Sequence, residues 1–268
     1  MGSPRSETPG SLSIASAVMV TTLGVAAMVA GPALAQRLSP GLGVRALVAI
    51  GTLLLALPAL AVLAARPSAW RAVRGLAVTP RTAATSVLLG AALWVGSIGL
   101  MEMQSLLLPP SEETLDLFRR LHAALAPSSA LDAVVSLAVI ALLPALCEEL
   151  VMRGVLLPAL AARAGPPLAV GLTAATFAII HFDPIRLLFT LVLGLALGVL
   201  RLRTGSLWPP VIVHLTLNAL TFAIAPLVDD PSQPYTPQPA VGLVCLAAGF
   251  AVAWPLLRAL GREPTPPA

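Results

Sequence analysis

The chain contains no lysine; all 16 basic residues among its 268 are arginine. Charged residues of both signs amount to only 10%, whereas soluble domains run near 25%. Aromatics are also sparse, at 4% with a single tyrosine. A chain so poor in charge cannot clothe an ordinary solvated surface. Only two cysteines are present, Cys147 and Cys245, both within apolar segments, so no disulfide framework is indicated. No internal repeat is evident, which excludes a solenoid. The sequence pI of about 10.4 does not signal a nucleic-acid partner. The arginines stand mostly singly near the ends of apolar runs, as the positive-inside rule distributes them.

What the chain has instead is hydrophobic length. It is 57% hydrophobic, with a mean hydropathy of +0.92. The fold class this implies is all-α, a polytopic transmembrane helix bundle. A span needs about 20 mostly apolar residues. About eight candidates occur, at 13–35, 44–65, 82–104, 131–160, 167–183, 185–203, 207–227 and 240–260. The fourth carries Pro144 and Pro158 and should bend or tilt. The fifth is short. The first begins after Arg5 and ends in Ala33-Leu34-Ala35, like a secretory signal with its cleavage site. Its apolar run exceeds the roughly 7–15 residues of such signals, so it is read as a retained helix.

Four parts follow: a flexible N-terminal tail (1–12), N-terminal membrane helices with an interfacial helix (13–130), a core of polar-bearing helices (131–228), and a last span with a disordered tail (229–268). The interfacial helix lies in the 105–130 loop. Ser111 can cap it, with Glu112 and Glu113 in its first turn. Leu115, Phe118, Leu121, His122 and Leu125 then share one face, as in a helix at a membrane surface. Arg5, Arg66, Arg71, Arg74, Arg81, Arg153, Arg163, Arg201, Arg203, Arg258 and Arg262 fall on one side of this topology. Arg37, Arg45, Arg119, Arg120 and Arg186 fall on the other. Both termini are therefore predicted cytoplasmic. The arginine-only basic set, with the excess of Ala, Leu, Pro and Gly, suggests a GC-rich bacterial genome. The expected location is then the inner (cytoplasmic) membrane, with the lipid bilayer as a partner.

Against this background one segment is anomalous: Cys147-Glu148-Glu149-Leu150-Val151-Met152-Arg153. A carboxylate at the centre of a membrane helix costs about 2.5–3.5 kcal/mol on insertion scales. On a helix, Glu149 and Arg153 are four apart and share a face, so they can pair. Glu148 points about 100° away and stays outside that pair. This leaves Glu148 as the candidate general base and Glu149–Arg153 as an orienting or structural pair. Two histidines also lie in apolar runs. His181 follows Phe177 by four residues, and His214 precedes Asn218 by four. Buried polar groups must find partners, and these can find one another.

A glutamate and a histidine can activate water; a second histidine and an asparagine can stabilise an oxyanion. That set suits amide hydrolysis without a covalent intermediate. Two histidines and a glutamate (Glu148, His181, His214) could instead hold zinc. The His-Glu-x-x-His helix that favours zinc is missing, so no cofactor is the preferred reading. Cys147 lacks a positioned base and reads as core. Phe177 reads as packing, His122 as surface, and Asp183-Pro184 as a turn. Asp229 and Asp230 read as part of a solvated loop.

Glu148-Glu149-x-x-x-Arg153, Phe177-x-x-x-His181 and His214-x-x-x-Asn218 resemble, in order and rough spacing, the three signature motifs of the CPBP intramembrane proteases. This is the family of type II CAAX prenyl endopeptidases and Abi proteins. Arg153-Gly154-Val155-Leu156 and Gly205-Ser206-Leu207-Trp208-Pro209 are similar to it as well. The resemblance covers about residues 130–228. It implies a protease in which Glu148 activates water with help from His181. His214 and Asn218 would form the oxyanion site, and Glu149 and Arg153 would orient the centre. The implied substrate is a protein or peptide cut near a membrane-associated C-terminal segment. A non-enzymatic scaffold or immunity protein using the same network for packing is the rival reading. A proton-coupled transporter is a weaker one, since no inverted repeat or paired half-helices appear.

Overall fold

The computed structural model describes residues 12–228 and 236–261. The expected flexible tails, and the loop with Asp229 and Asp230, fall largely outside them. Helices dominate: α1 (Ile14–Leu38), α2 (Val44–Ala64), α3 (Pro67–Arg74), α4 (Pro80–Leu107) and α5 (Glu112–Leu125) come first. A long broken helix follows, made of α6 (Ala130–Leu137), α7 (Leu143–Glu149) and α8 (Leu157–Ala164). Then come α9 (Pro166–Ile179), α10 (Leu187–Thr204), α11 (Trp208–Val228) and α12 (Pro239–Ala259). No named strand occurs among the described residues. The protein is a polytopic helical bundle.

Each of the eight expected spans finds its helix. Six of them, counting α6–α8 as one, are long and apolar enough to cross a membrane. The difference lies in length. Helix α9 has only 14 residues, about 21 Å at 1.5 Å per residue against a hydrocarbon core of about 30 Å. In α11 the apolar stretch Trp208–Ile224 is also short of the usual span.

Where the two prolines of the fourth span led to the expectation of a bend or tilt, the helix changes its hydrogen bonding. Two π-helical segments, Ala138–Leu142 and Leu150–Leu156, interrupt the α-helix. Each ends two residues before a proline. A proline has no N–H, and its ring clashes with the carbonyl four residues back. Widening the turn relieves the clash. Leu143 N–H accordingly bonds Ala138 O, and Leu157 N–H bonds Met152 O, both five residues back. Such wide turns concentrate at functional sites, and the second begins directly after Glu149.

Lipid tails are as apolar as leucine, so the helices are held by close packing rather than by hydrophobic transfer. Helix α12 packs chiefly on α4, α1 on α2, and α10 on α9. Small residues permit this. A Cβ on Gly249 of α12 would lie 2.4 Å from Gly96 N of α4. One on Gly194 of α10 would lie 2.9 Å from Ala174 Cα of α9. Buried hydroxyls bond their own helix, as Thr21 does to Ala17 O and Thr173 to Ala169 O.

The loops sort to two ends as the arginine pattern implied. At one end α3 meets the α10–α11 turn: Gly75 bridges to Ser206, and Ser206 Oγ donates to Leu76 O at 2.7 Å. Arg203 donates to Leu257 O there. At the other end Arg45 pairs with Asp132 and donates to Leu125 O and Ala126 O. Two arginines on the rich side, Arg153 and Arg201, are buried in the bundle rather than in loops. Helix α5 is capped by Ser111, which accepts from Thr114 N–H, and none of its residues is fully buried. Leu115, Phe118, Leu121 and Leu125 form its half-buried face. His122, expected on that face, is exposed.

Candidate active site

Glu148, Glu149, Arg153, His181 and His214, drawn from all three motifs, converge between the broken helix, α9, α10 and α11. They divide into two layers. The inner layer holds Glu149 and Arg153, both with 0% side-chain exposure. Arg153 Nη1 donates to Glu149 Oε1 at 2.8 Å, the expected four-residue pair. Arg153 Nη2 donates to Gly194 O at 3.1 Å. The guanidinium also lies 4.6 Å from the Phe177 ring centroid, in cation–π contact. His214 Nδ1 sits 3.0 Å from the same Glu149 Oε1. A carboxylate oxygen only accepts, so Nδ1 carries the proton of this bond. Glu149 thus fixes both the arginine and the ring orientation of His214.

The outer layer holds Glu148 and His181. His181 lies in the turn just after α9. Its Nδ1 donates to Phe177 O at 2.6 Å, which leaves Nε2 as the nitrogen facing the site. That Nε2 lies 3.8 Å from Glu148 Oε2, and His214 Nε2 lies 3.9 Å from the same atom. Glu148 Oε2 is buried and makes no hydrogen bond among the described residues. Both separations are too long for a direct hydrogen bond. Glu148 and His181 line a cavity of about 310 Å³ with Met28, Val29, Ile180 and Phe182. Phe182 has φ of +50° in the turn that follows α9.

Zinc can be tested on this donor set. Zn–N bonds are about 2.0–2.1 Å, which at tetrahedral angles puts ligand atoms about 3.4 Å apart. The separations here are wider, at 3.8 and 3.9 Å. No group of three His, Cys, Asp or Glu residues among the described ones is arranged to hold a metal ion. No step is therefore routed through zinc.

The structure also places the remaining residues singled out above. Asn218 lies one turn beyond His214 on α11, half-buried, with no hydrogen bond among the described residues. Phe177 is fully buried, and its ring meets both histidines edge-on, at 4.6 Å to His181 and 5.7 Å to His214. Cys147 is free and buried in the core. Asp183 holds its turn through its bonds to Ile185 N–H and Arg186 N–H and its pairing with Arg186.

Three supporting groups escaped the sequence reading. Gly194 contributes a carbonyl, which no side-chain pattern announces. Gln104 of α4 is buried and clamps the turn after His181, donating to Ile185 O at 2.8 Å and accepting from Leu188 N–H at 3.1 Å. Arg201 sat at the polar end of α10, where loop arginines are ordinary. Only its burial marks it as different.

Residues 130–220 match the family model of Type II CAAX prenyl endopeptidase Rce1-like proteins. This stretch is an Rce1-like domain, consistent with the CPBP family, and all three motifs lie within it. The chain is thus a multi-pass membrane protein carrying a protease-family domain. No curated protein and no solved structure matches it.

Proposed function

We propose that the protein is an intramembrane endopeptidase that hydrolyses a peptide bond near the membrane-associated C-terminal region of its substrate. The observation that carries this reading is Glu148 Oε2, a buried acceptor without a partner, facing two imidazole nitrogens beside a cavity.

A water between Glu148 Oε2 and His181 Nε2 gives its proton to Glu148, and its oxygen attacks the scissile carbonyl carbon. The oxyanion receives hydrogen bonds from His214 and the Asn218 amide. In the imidazolium form of His214 both nitrogens donate, so Nε2–H serves the oxyanion while Nδ1–H stays on Glu149. As the tetrahedral species collapses, the C–N bond breaks. Protonated Glu148 then delivers its proton to the leaving amine. Met28, Val29, Ile180 and Phe182 wall the cavity, so apolar residues flank the bond that is cut. The arginine-rich end of the bundle, with both termini, faces the cytoplasm of a bacterial inner membrane.

The test compares membrane and secreted proteins of a deletion strain complemented with wild type, Glu148→Ala or His181→Ala. A substrate should accumulate uncleaved in the deletion strain and in both variants. Continued cleavage in both variants would overturn the mechanism. Loss of cleavage on chelation, restored by zinc, would replace it with the metal-dependent form. Full biological function in Glu148→Gln would favour the scaffold.

A further inference from the structure

Arg201 of α10 is buried among apolar neighbours, in a bundle where an unpartnered guanidinium would be costly. Its Nε donates to Arg153 O at 3.2 Å. Its Nη2 donates to Ala72 O and Val73 O, at 3.0 and 3.1 Å. The first of these bonds is unusual, because carbonyls inside a helix are normally taken by the helix itself.

The sequence explains why Arg153 O is open. In an α-turn its donor would be Leu157 N–H, but Leu157 N–H reaches back five residues to Met152 O. In the π-turn its donor would be the amide of residue 158, which is proline and has none. The wide turn that accommodates Pro158 therefore strips the backbone donor from the residue whose side chain pairs with Glu149. We propose that Arg201 is a positioning residue for the site: it supplies the hydrogen bond to Arg153 O that Pro158 withholds, and so holds the turn that aims Arg153 at Glu149. The link from Arg201 runs through Arg153 and Glu149 to His214 Nδ1. For its activity arm the inference rests on the function proposed above.

The same geometry supplies the test. Pro158→Ala returns an N–H in the position to bond Arg153 O, and should make Arg201 dispensable for the site. Its bonds to Ala72 O and Val73 O would not be replaced. The full chain in detergent micelles is compared as wild type, Arg201→Met, Pro158→Ala and the double variant. One readout is cleavage of the substrate that the strain comparison identifies. The other is the ring nitrogen signals of ¹⁵N-labelled histidine, of which the chain has three.

Arg201→Met should lower kcat by about tenfold or more with little change in KM, as expected when a buried acceptor loses its donor. It should also shift the His214 ring signals and leave those of exposed His122 in place. The double variant should recover His214 signals and kcat to the level of Pro158→Ala alone. Losses that simply add, with His214 still shifted in the double variant, would overturn the proposal and leave Arg201 as an anchor for α3. Wild-type His214 signals in Arg201→Met would overturn it as well. If Arg201→Met does not fold, recovery of folding in the double variant with Pro158→Ala supports the proposal, and continued failure to fold in the double variant overturns it. An inactive wild type would refute the protease reading, while the His214 signals would still decide this one.

Discussion

Replacing Arg153 by methionine removes more than an ion pair. It deletes the 2.8 Å bond to Glu149 Oε1, the 3.1 Å bond to Gly194 O, and the cation–π contact with Phe177. Glu149 would remain fully buried, with His214 Nδ1 as its hydrogen-bond partner. Breaking a buried pair from one side costs about 3–5 kcal/mol, because the other charge is left uncompensated. At about 2–4 °C per kcal/mol for a chain of this size, the thermal midpoint should fall by about 6–20 °C. Removing both charges, as Glu149→Gln with Arg153→Met, eliminates the uncompensated charge and should return most of that loss. Activity should behave differently. His214 Nδ1 would lose its carboxylate, so the double variant should stay as impaired as the worse single one. The assay is a thermal unfolding cycle in detergent beside a cleavage assay on the same four proteins. A drop below about 3 °C for Arg153→Met would refute the energetic argument. Recovery of both stability and activity in the double variant would refute the orienting role and leave a purely structural pair.

Two further expectations follow from the support around the site. Gln104→Leu removes the donor to Ile185 O and the acceptor for Leu188 N–H, two part-buried bonds worth about 1 kcal/mol each. Thermal unfolding should show that loss, and the freed turn should lower kcat through misplacement of His181. Asn218→Ala should do the opposite. Asn218 makes no hydrogen bond among the described residues, so stability should hold within about 0.5 kcal/mol. Its kcat should fall by about 10²–10³, as for loss of an oxyanion donor.

Helix positions were legible in the sequence because apolar length and arginine placement follow from the bilayer alone. The Glu149–Arg153 pair was legible because four-residue spacing survives the start of the wide turn. That Glu148 and His181 share a cavity was suggested by the need of buried polar groups for partners, but its walls were not readable. Met28 and Val29 come from α1, far away in sequence. Gly194 contributes a backbone carbonyl and Phe177 another beside its ring, and every residue carries a carbonyl. Gln104 and Arg201 sit near helix ends, where polar side chains are ordinary. Pro144 and Pro158 predicted a bend, yet the chain absorbs them in two wide turns, because π-type bonding moves the displaced N–H one carbonyl further back.

Adjacent positions on a helix differ by about 100°, and this offset separates the two glutamates into different environments. Glu149 turns inward, where Arg153 and His214 both satisfy Oε1. Glu148 turns toward the cavity, where its Oε2 faces the Nε2 atoms of His181 and His214 at hydrogen-bond distance from neither. A carboxylate held through one oxygen by both a buried guanidinium and an imidazole, as Glu149 is through Oε1, cannot take up a proton there without dismantling its neighbours. One left at a cavity wall can exchange a proton with water at little structural cost. His214 belongs to both layers, with Nδ1 on the inner carboxylate and Nε2 toward the outer one. A force that shifts Arg153 therefore reaches the reacting side by two routes, through Glu149 to the His214 ring and through the Phe177 ring to His181, so packing of the bundle and chemistry at the cavity are coupled at both imidazoles.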